Sequence, residues 1–148
     1  MLNFKRGWVV LVVIAASACG GSGPTGPSNS IPNVVGNYSG NTTLAFPQRG
    51  TSVTCPTSTS VTQSGNTVSI APLILAGPCG NLSVPLGQTT IDATGAFMEN
   101  PNGTVDDPSC GTYSYAASGG FFGRSMQMSI NATSRTCSTF NMTTNVSH

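Results

Sequence analysis

Apolar side chains fall on every second position through most of this chain. Tyr38, Gly40, Thr42, Leu44 and Phe46 share one face, with Asn37, Ser39, Asn41 and Thr43 on the other. The alternation recurs at Leu82, Val84 and Leu86, at Tyr113, Tyr115 and Ala117, at Met126, Met128, Ile130 and Ala132, and at Phe140, Met142, Thr144 and Val146. Period two marks a strand that buries one face and wets the other, because successive side chains on extended backbone point to opposite sides. Val68 and Ile70 open a further strand, which Pro72 must end or hold at an edge because proline donates nothing to a ladder. Val53, Cys55 and Val61 indicate another strand or strand pair, broken by Pro56. Turn residues separate the runs at Ser64-Gly65-Asn66, at Asp92 to Gly95, and at Gly119-Gly120 ahead of Phe121-Phe122. No long window shows helical spacing.

The pattern predicts an all-β fold, an antiparallel up-and-down meander of about eight strands closing as a small barrel. A two-sheet β-sandwich is the alternative. Closure is favoured because it removes the exposed edges that an open meander leaves.

The residues ahead of the strands follow a different logic. Lys5 and Arg6 precede an apolar run from Trp8 to Ile14, followed by Ala16, Ser17, Ala18 and Cys19. Basic, apolar, small is the order of a secretory signal. The apolar run falls short of the roughly 20 residues a spanning helix needs, and Gly20, Gly21 and Pro24 follow it closely. The chain thus divides into a signal peptide at 1–18, Cys19 with a flexible Gly/Ser/Pro-rich tether at 19–35, and a β domain at 36–148.

The stretch Ala16-Ser17-Ala18-Cys19 resembles the lipobox of bacterial lipoproteins, departing from it at Ala16, where leucine is usual. The resemblance implies that Cys19 is diacylated and holds an exported protein to a membrane of the bacterial cell envelope. Ordinary cleavage and secretion is the alternative. Five cysteines are present, and assigning Cys19 to lipid leaves an even set. Meander topology pairs Cys55 with Cys79 and Cys110 with Cys137, the first pair at one end of the strands and the second at the opposite end.

Charge narrows the function further. Beyond the signal peptide the chain carries three arginines, no lysine and four carboxylates. Binding nucleic acid through its phosphates lacks the residues it needs. The one histidine is the last residue, His148, and G-x-S-x-G, H-E-x-x-H and C-x-x-C are all absent, so a non-enzymatic protein without a cofactor is expected. Seven Asn-x-Ser/Thr triplets fit a polar strand face built from Asn, Ser and Thr, and are read as surface composition.

Two groups of residues are candidates for binding. Glu99, Asn102, Asp106 and Asp107 gather oxygen donors of the kind Ca²⁺ accepts, although their spacing is not that of an EF-hand, and a solvated hairpin loop is the plainer reading. Tyr113, Tyr115, Met126, Met128, Phe140 and Met142 share the presumed inner face, where they line a ligand pocket or fill a dry core. The Gly36-x-Tyr38 opening, the meander and a late aromatic pair resemble lipocalin-like and avidin-like barrels in architecture. The expected function is therefore a non-enzymatic exported lipoprotein that binds a small apolar ligand inside a β-barrel. The alternative is a structural or adhesive envelope module with a solid core. No feature of the sequence names a protein partner.

Overall fold

The computed structural model describes residues 30–107, 110–137 and 139–148, so the signal peptide, Cys19 and the tether up to residue 29 lie outside the described residues. Ten antiparallel strands follow in order: β1 (Gly36–Phe46), β2 (Thr51–Ser64), β3 (Thr67–Ile70), β4 (Leu73–Leu75), β5 (Leu82–Val84), β6 (Gly87–Thr90), β7 (Asn102–Asp107), β8 (Gly111–Phe122), β9 (Ser125–Ser134) and β10 (Phe140–Ser147). No α-helix occurs among the described residues.

The ten strands form eight staves. Both β3 and β4 run along β2, and the register slips by one residue between Val61↔Ile70 and Thr57↔Leu75. Pro72 lies in that slip, so the pairing stops there and resumes with one extra residue, as a bulge does. The next stave is β5 with β6, which hold one register against their neighbours, from Leu73↔Val84 to Thr67↔Thr90. Residues 96–97 and β7 form the fifth, and β8, β9 and β10 complete a meander whose last strand pairs with β1. The sheet is nearly closed as a barrel.

Closure is complete at one end only. There Met98 N–H donates to the Thr90 carbonyl (2.8 Å), Phe97 N–H to Gly119 (2.9 Å) and Phe121 N–H to Gly95 (2.8 Å), so residues 95–98 join β6 to β8. Toward the other end the same two staves part, and among the described residues no ladder joins β5 to β7.

Two local expectations fail for informative reasons. Pro56 does not break β2, which runs unbroken from Thr51 to Ser64. The Pro56 carbonyl accepts from Ala76 N–H (2.8 Å) on the β4 side, so its missing N–H also lies on that side, beyond the last β2–β4 pair. The β1–β2 ladder is untouched. Gly119-Gly120 is not a turn but part of β8. A Cβ at Gly119 would lie 2.1 Å from the Gln127 carbonyl oxygen, and one at Gly120 2.6 Å from that of Gly95. Glycine serves close approach of three backbones where the barrel closes.

The inward faces pack as the alternation predicts, with Tyr38, Leu73, Leu75, Ile91, Phe121, Met126, Ile130 and Met142 all buried. Thr42 and Thr144 also face inward and satisfy one another, their hydroxyls 2.8 Å apart. At the closed end Tyr38 stacks near Phe121 (5.8 Å between ring centres) and donates its hydroxyl to the Val34 carbonyl at 2.8 Å. Val34 is itself buried, and its N–H donates to Gln63 Oε1 (2.9 Å), while Gln63 Nε2 donates to the Pro32 carbonyl (2.9 Å). Residues 31–34, read from sequence as tether, are therefore part of the packed domain.

Candidate functional site

The open end of the barrel is the braced end. Disulfides join Cys55 to Cys79 and Cys110 to Cys137, with Cα atoms 6.0 and 5.4 Å apart. The pairing is the expected one, but its placement is not, because both bridges lie toward the same end. Cys55 sits in β2 opposite Thr42, in the half of β1 that runs to Phe46, and the second bridge ties the segment ahead of β8 to the segment ahead of β10. Because β5 and β6 share one stave, β8 is the sixth stave rather than the seventh, and one stave fewer inverts the end at which it begins.

Each bridge holds one flank of the β5–β7 slit. Cys79 closes a 3-10 turn at Gly77–Cys79, and its bond to Cys55 fastens the β4–β5 connection over β2. On the far flank Ser134 Oγ donates to the Cys110 carbonyl (2.9 Å), reinforcing the bond to Cys137. The slit itself is not bridged among the described residues.

A cavity of about 390 Å³ opens at this end. Leu44 and Phe46 from β1, Val53 from β2 and Phe140 from β10 form one wall. Leu82 of β5 and Val105 of β7 face it from the two margins of the slit, with Tyr113, Pro78 and Cys79 completing it. The aromatic rings are in contact, with Phe140 4.9 Å from Tyr113 and 6.1 Å from Phe46 between ring centres. Asp106 is the one charged lining residue; it is exposed, and its Oδ1 accepts from the Thr112 hydroxyl at 2.7 Å. Such a cavity offers apolar area, aromatic faces and no basic group, which suits an uncharged organic molecule rather than a phosphate or carboxylate.

Concavities of about 410, 490 and 540 Å³ also occur, but on the outer face of the sheet, mostly among Ser, Thr and Asn side chains, with Phe122, Ile74 and Arg135 also in their linings. All three are more open to solvent than the mouth cavity. A furrow between exposed side chains buries little of a ligand, so the mouth cavity is the better site despite its smaller volume.

Of the six residues expected to line a pocket, Tyr113 and Phe140 reach the mouth cavity. Tyr115 is buried two positions further along β8, and Met126 and Met142 are enclosed by the sheet. Met128 is likewise buried, facing inward between Gly119 and Thr144 on the neighbouring strands. The residues missed were Leu44, Phe46, Val53, Leu82 and Val105. Val53, Leu82 and Val105 stand within five residues of Cys55, Cys79 and Cys110 respectively, which is the signal the sequence carries for them; Leu44 and Phe46 have no such neighbour.

The candidate calcium ligands are spread along a strand. Asn102 to Asp107 form β7 rather than a loop, and Asn102 and Asp106 stand four strand positions apart, about 13 Å at the usual rise. One ion cannot bridge that distance, since Ca²⁺–oxygen contacts are about 2.4 Å. Among the described residues no group of three His, Cys, Asp or Glu side chains is placed to hold a metal.

At the opposite end Asp92 organises the turn that completes the closure. Its Oδ1 accepts from the Thr94 hydroxyl (2.6 Å), Thr94 N–H (2.8 Å) and Ala96 N–H (3.1 Å), which holds its carboxyl below the usual carboxylate range, the Thr94 hydroxyl contributing most. Comparison of the chain with protein-family models, with curated proteins and with solved structures finds no match.

Proposed function

We propose that this protein is a non-enzymatic exported lipoprotein whose barrel takes a small, uncharged, largely apolar molecule at its mouth. The observation that carries the reading is the cavity between unpaired staves, walled by Leu44, Phe46, Val53, Tyr113 and Phe140 and held at both flanks by disulfides. Rigid walls favour binding because little conformational freedom is lost when a ligand enters. Disulfides also suit an oxidising compartment outside the cytoplasm, in keeping with the signal-like N-terminus.

An anchor at Cys19 and a ligand at the mouth are compatible in space. The N-terminal segment joins the barrel at its closed end, through Val34 and Gln63, and β1 runs from there toward the mouth. The eleven residues of β1 span about 33 Å along the strand. A tether joined at the closed end would thus leave the mouth free to take a ligand.

Phenylnaphthylamine, a neutral aromatic whose fluorescence rises in apolar surroundings, tests the binding reading. The full chain should enhance it saturably, and Val53→Trp, which fills the cavity, should weaken binding more than tenfold. Equal binding by the variant would place the probe elsewhere and remove the mouth from consideration. The anchor is tested separately by Cys19→Ala, which should move the protein from the detergent phase to the aqueous phase. A wild-type protein already in the aqueous phase would leave secretion as the address.

A further inference from the structure

The three tyrosines are all buried, but the protein satisfies only one of them. The Tyr38 hydroxyl donates to Val34, as a buried phenol does when a carbonyl is within reach. Tyr113 and Tyr115 are 6% and 5% exposed, yet among the described residues neither hydroxyl has a hydrogen-bond partner. No described side-chain nitrogen or oxygen sealed from solvent lacks a partner, so these two hydroxyls must be the accessible tips of otherwise enclosed rings. For Tyr113 the space it touches is the mouth cavity.

For Tyr115 the space is made by a glycine. Gly103 of β7 stands directly opposite Tyr115, and a Cβ there would lie 2.6 Å from the hydroxyl and 2.9 Å from Cζ. Gly103 is not among the glycines with positive φ, so its backbone does not require glycine. The missing side chain instead lets the phenol tip lie against the inner side of β7, the strand that forms one margin of the slit. Burial also raises the Tyr115 pKa, keeping its proton in place as a donor.

We infer that the mouth site selects a neutral molecule that joins an apolar body to a carbonyl-type acceptor, to which the Tyr113 hydroxyl donates. The Tyr115 hydroxyl, two positions further along β8, lies outside the cavity lining. This rests on the mouth cavity being the binding site. A phenol donor that loses water without gaining an acceptor costs free energy, so a ligand with no acceptor binds at a penalty. An anion would gain the same hydrogen bond but would meet Asp106 and no compensating cation among the lining residues.

Two neutral probes, titrated against the full chain with both disulfides intact, separate the alternatives. Prodan is a naphthyl ketone, and phenylnaphthylamine is of similar size without a carbonyl. The variant Tyr113→Phe keeps the ring and removes the one tyrosine hydroxyl of the cavity lining. It should lose roughly three- to tenfold or more in prodan affinity while holding phenylnaphthylamine within about twofold. If the variant binds both probes as the wild type does, or weakens both equally, the acceptor inference falls and the apolar cavity stands. If the wild type binds neither probe, the mouth is not a binding site, and the inference falls with that reading.

Discussion

Replacing Met142 by alanine measures whether the barrel interior below the mouth is packed or hollow. Met142 is 1% exposed, and its cross-strand neighbours are Leu44 in β1 and Ile130 in β9, both buried. Removing most of a methionine from such a site loses the transfer free energy of the deleted atoms and leaves a void that flanking ladders cannot collapse. Buried Met→Ala changes cost about 2–5 kcal/mol, and the hydrogen-bonded strands on both sides of Met142 put the expected value near 3 kcal/mol. At the mouth, Leu82→Ala removes a side chain that is only partly buried and already adjoins a cavity, so about 1 kcal/mol is expected. Denaturant unfolding with the disulfides intact should therefore show a clear gap between the variants. Thermal unfolding should place Met142→Ala roughly 10 °C below the wild type. A Met142→Ala protein within 1 kcal/mol of the wild type would mean that the site already adjoins empty or hydrated space. The division into a solid floor and an open mouth would then be wrong.

Three further outcomes follow from the same geometry. The lowered pKa of Asp92 means that its contribution to stability is whole above the ordinary carboxylate range and is lost as pH falls through the lowered value. Asp92→Ala should therefore lower the melting temperature at neutral pH and flatten its acid decline, and an unchanged acid limb would sever the turn from the pH response. Replacing Cys55 and Cys79 together by alanine should cost about 2–4 kcal/mol and speed hydrogen exchange in β4 and β5 more than in β9. Uniform acceleration would show that this bridge does not act on the slit in particular. Gln63→Ala breaks the bonds to Val34, Pro32 and Gly65, so about 2 kcal/mol of stability should be lost and proteolysis near residue 31 should increase. Unchanged cleavage would show that the N-terminal segment is held without Gln63.

What the sequence determined by itself is what depends on neighbours along the chain. Alternation at Tyr38 to Phe46, Met126 to Ala132 and Phe140 to Val146 specified strands and the faces they bury, because extended backbone sends side chains to opposite sides whatever the partner. The all-β class, the meander and the disulfide partners followed from that pattern and from turn spacing. The sequence misled where pairing, not patterning, sets the structure. Pro56 is harmless because its missing N–H points past the end of β4, and Gly119-Gly120 is strand because β9 and residues 95–96 press against it. Tertiary structure alone decided that both bridges gather at one end and that β5 and β7 part there. Leu44, Val53 and Leu82 look like any other inward strand residues in the sequence. They line a cavity because the staves that close the barrel through residues 95–98 fail to meet at its other end, and pairing across that distance is a property no local run of residues encodes.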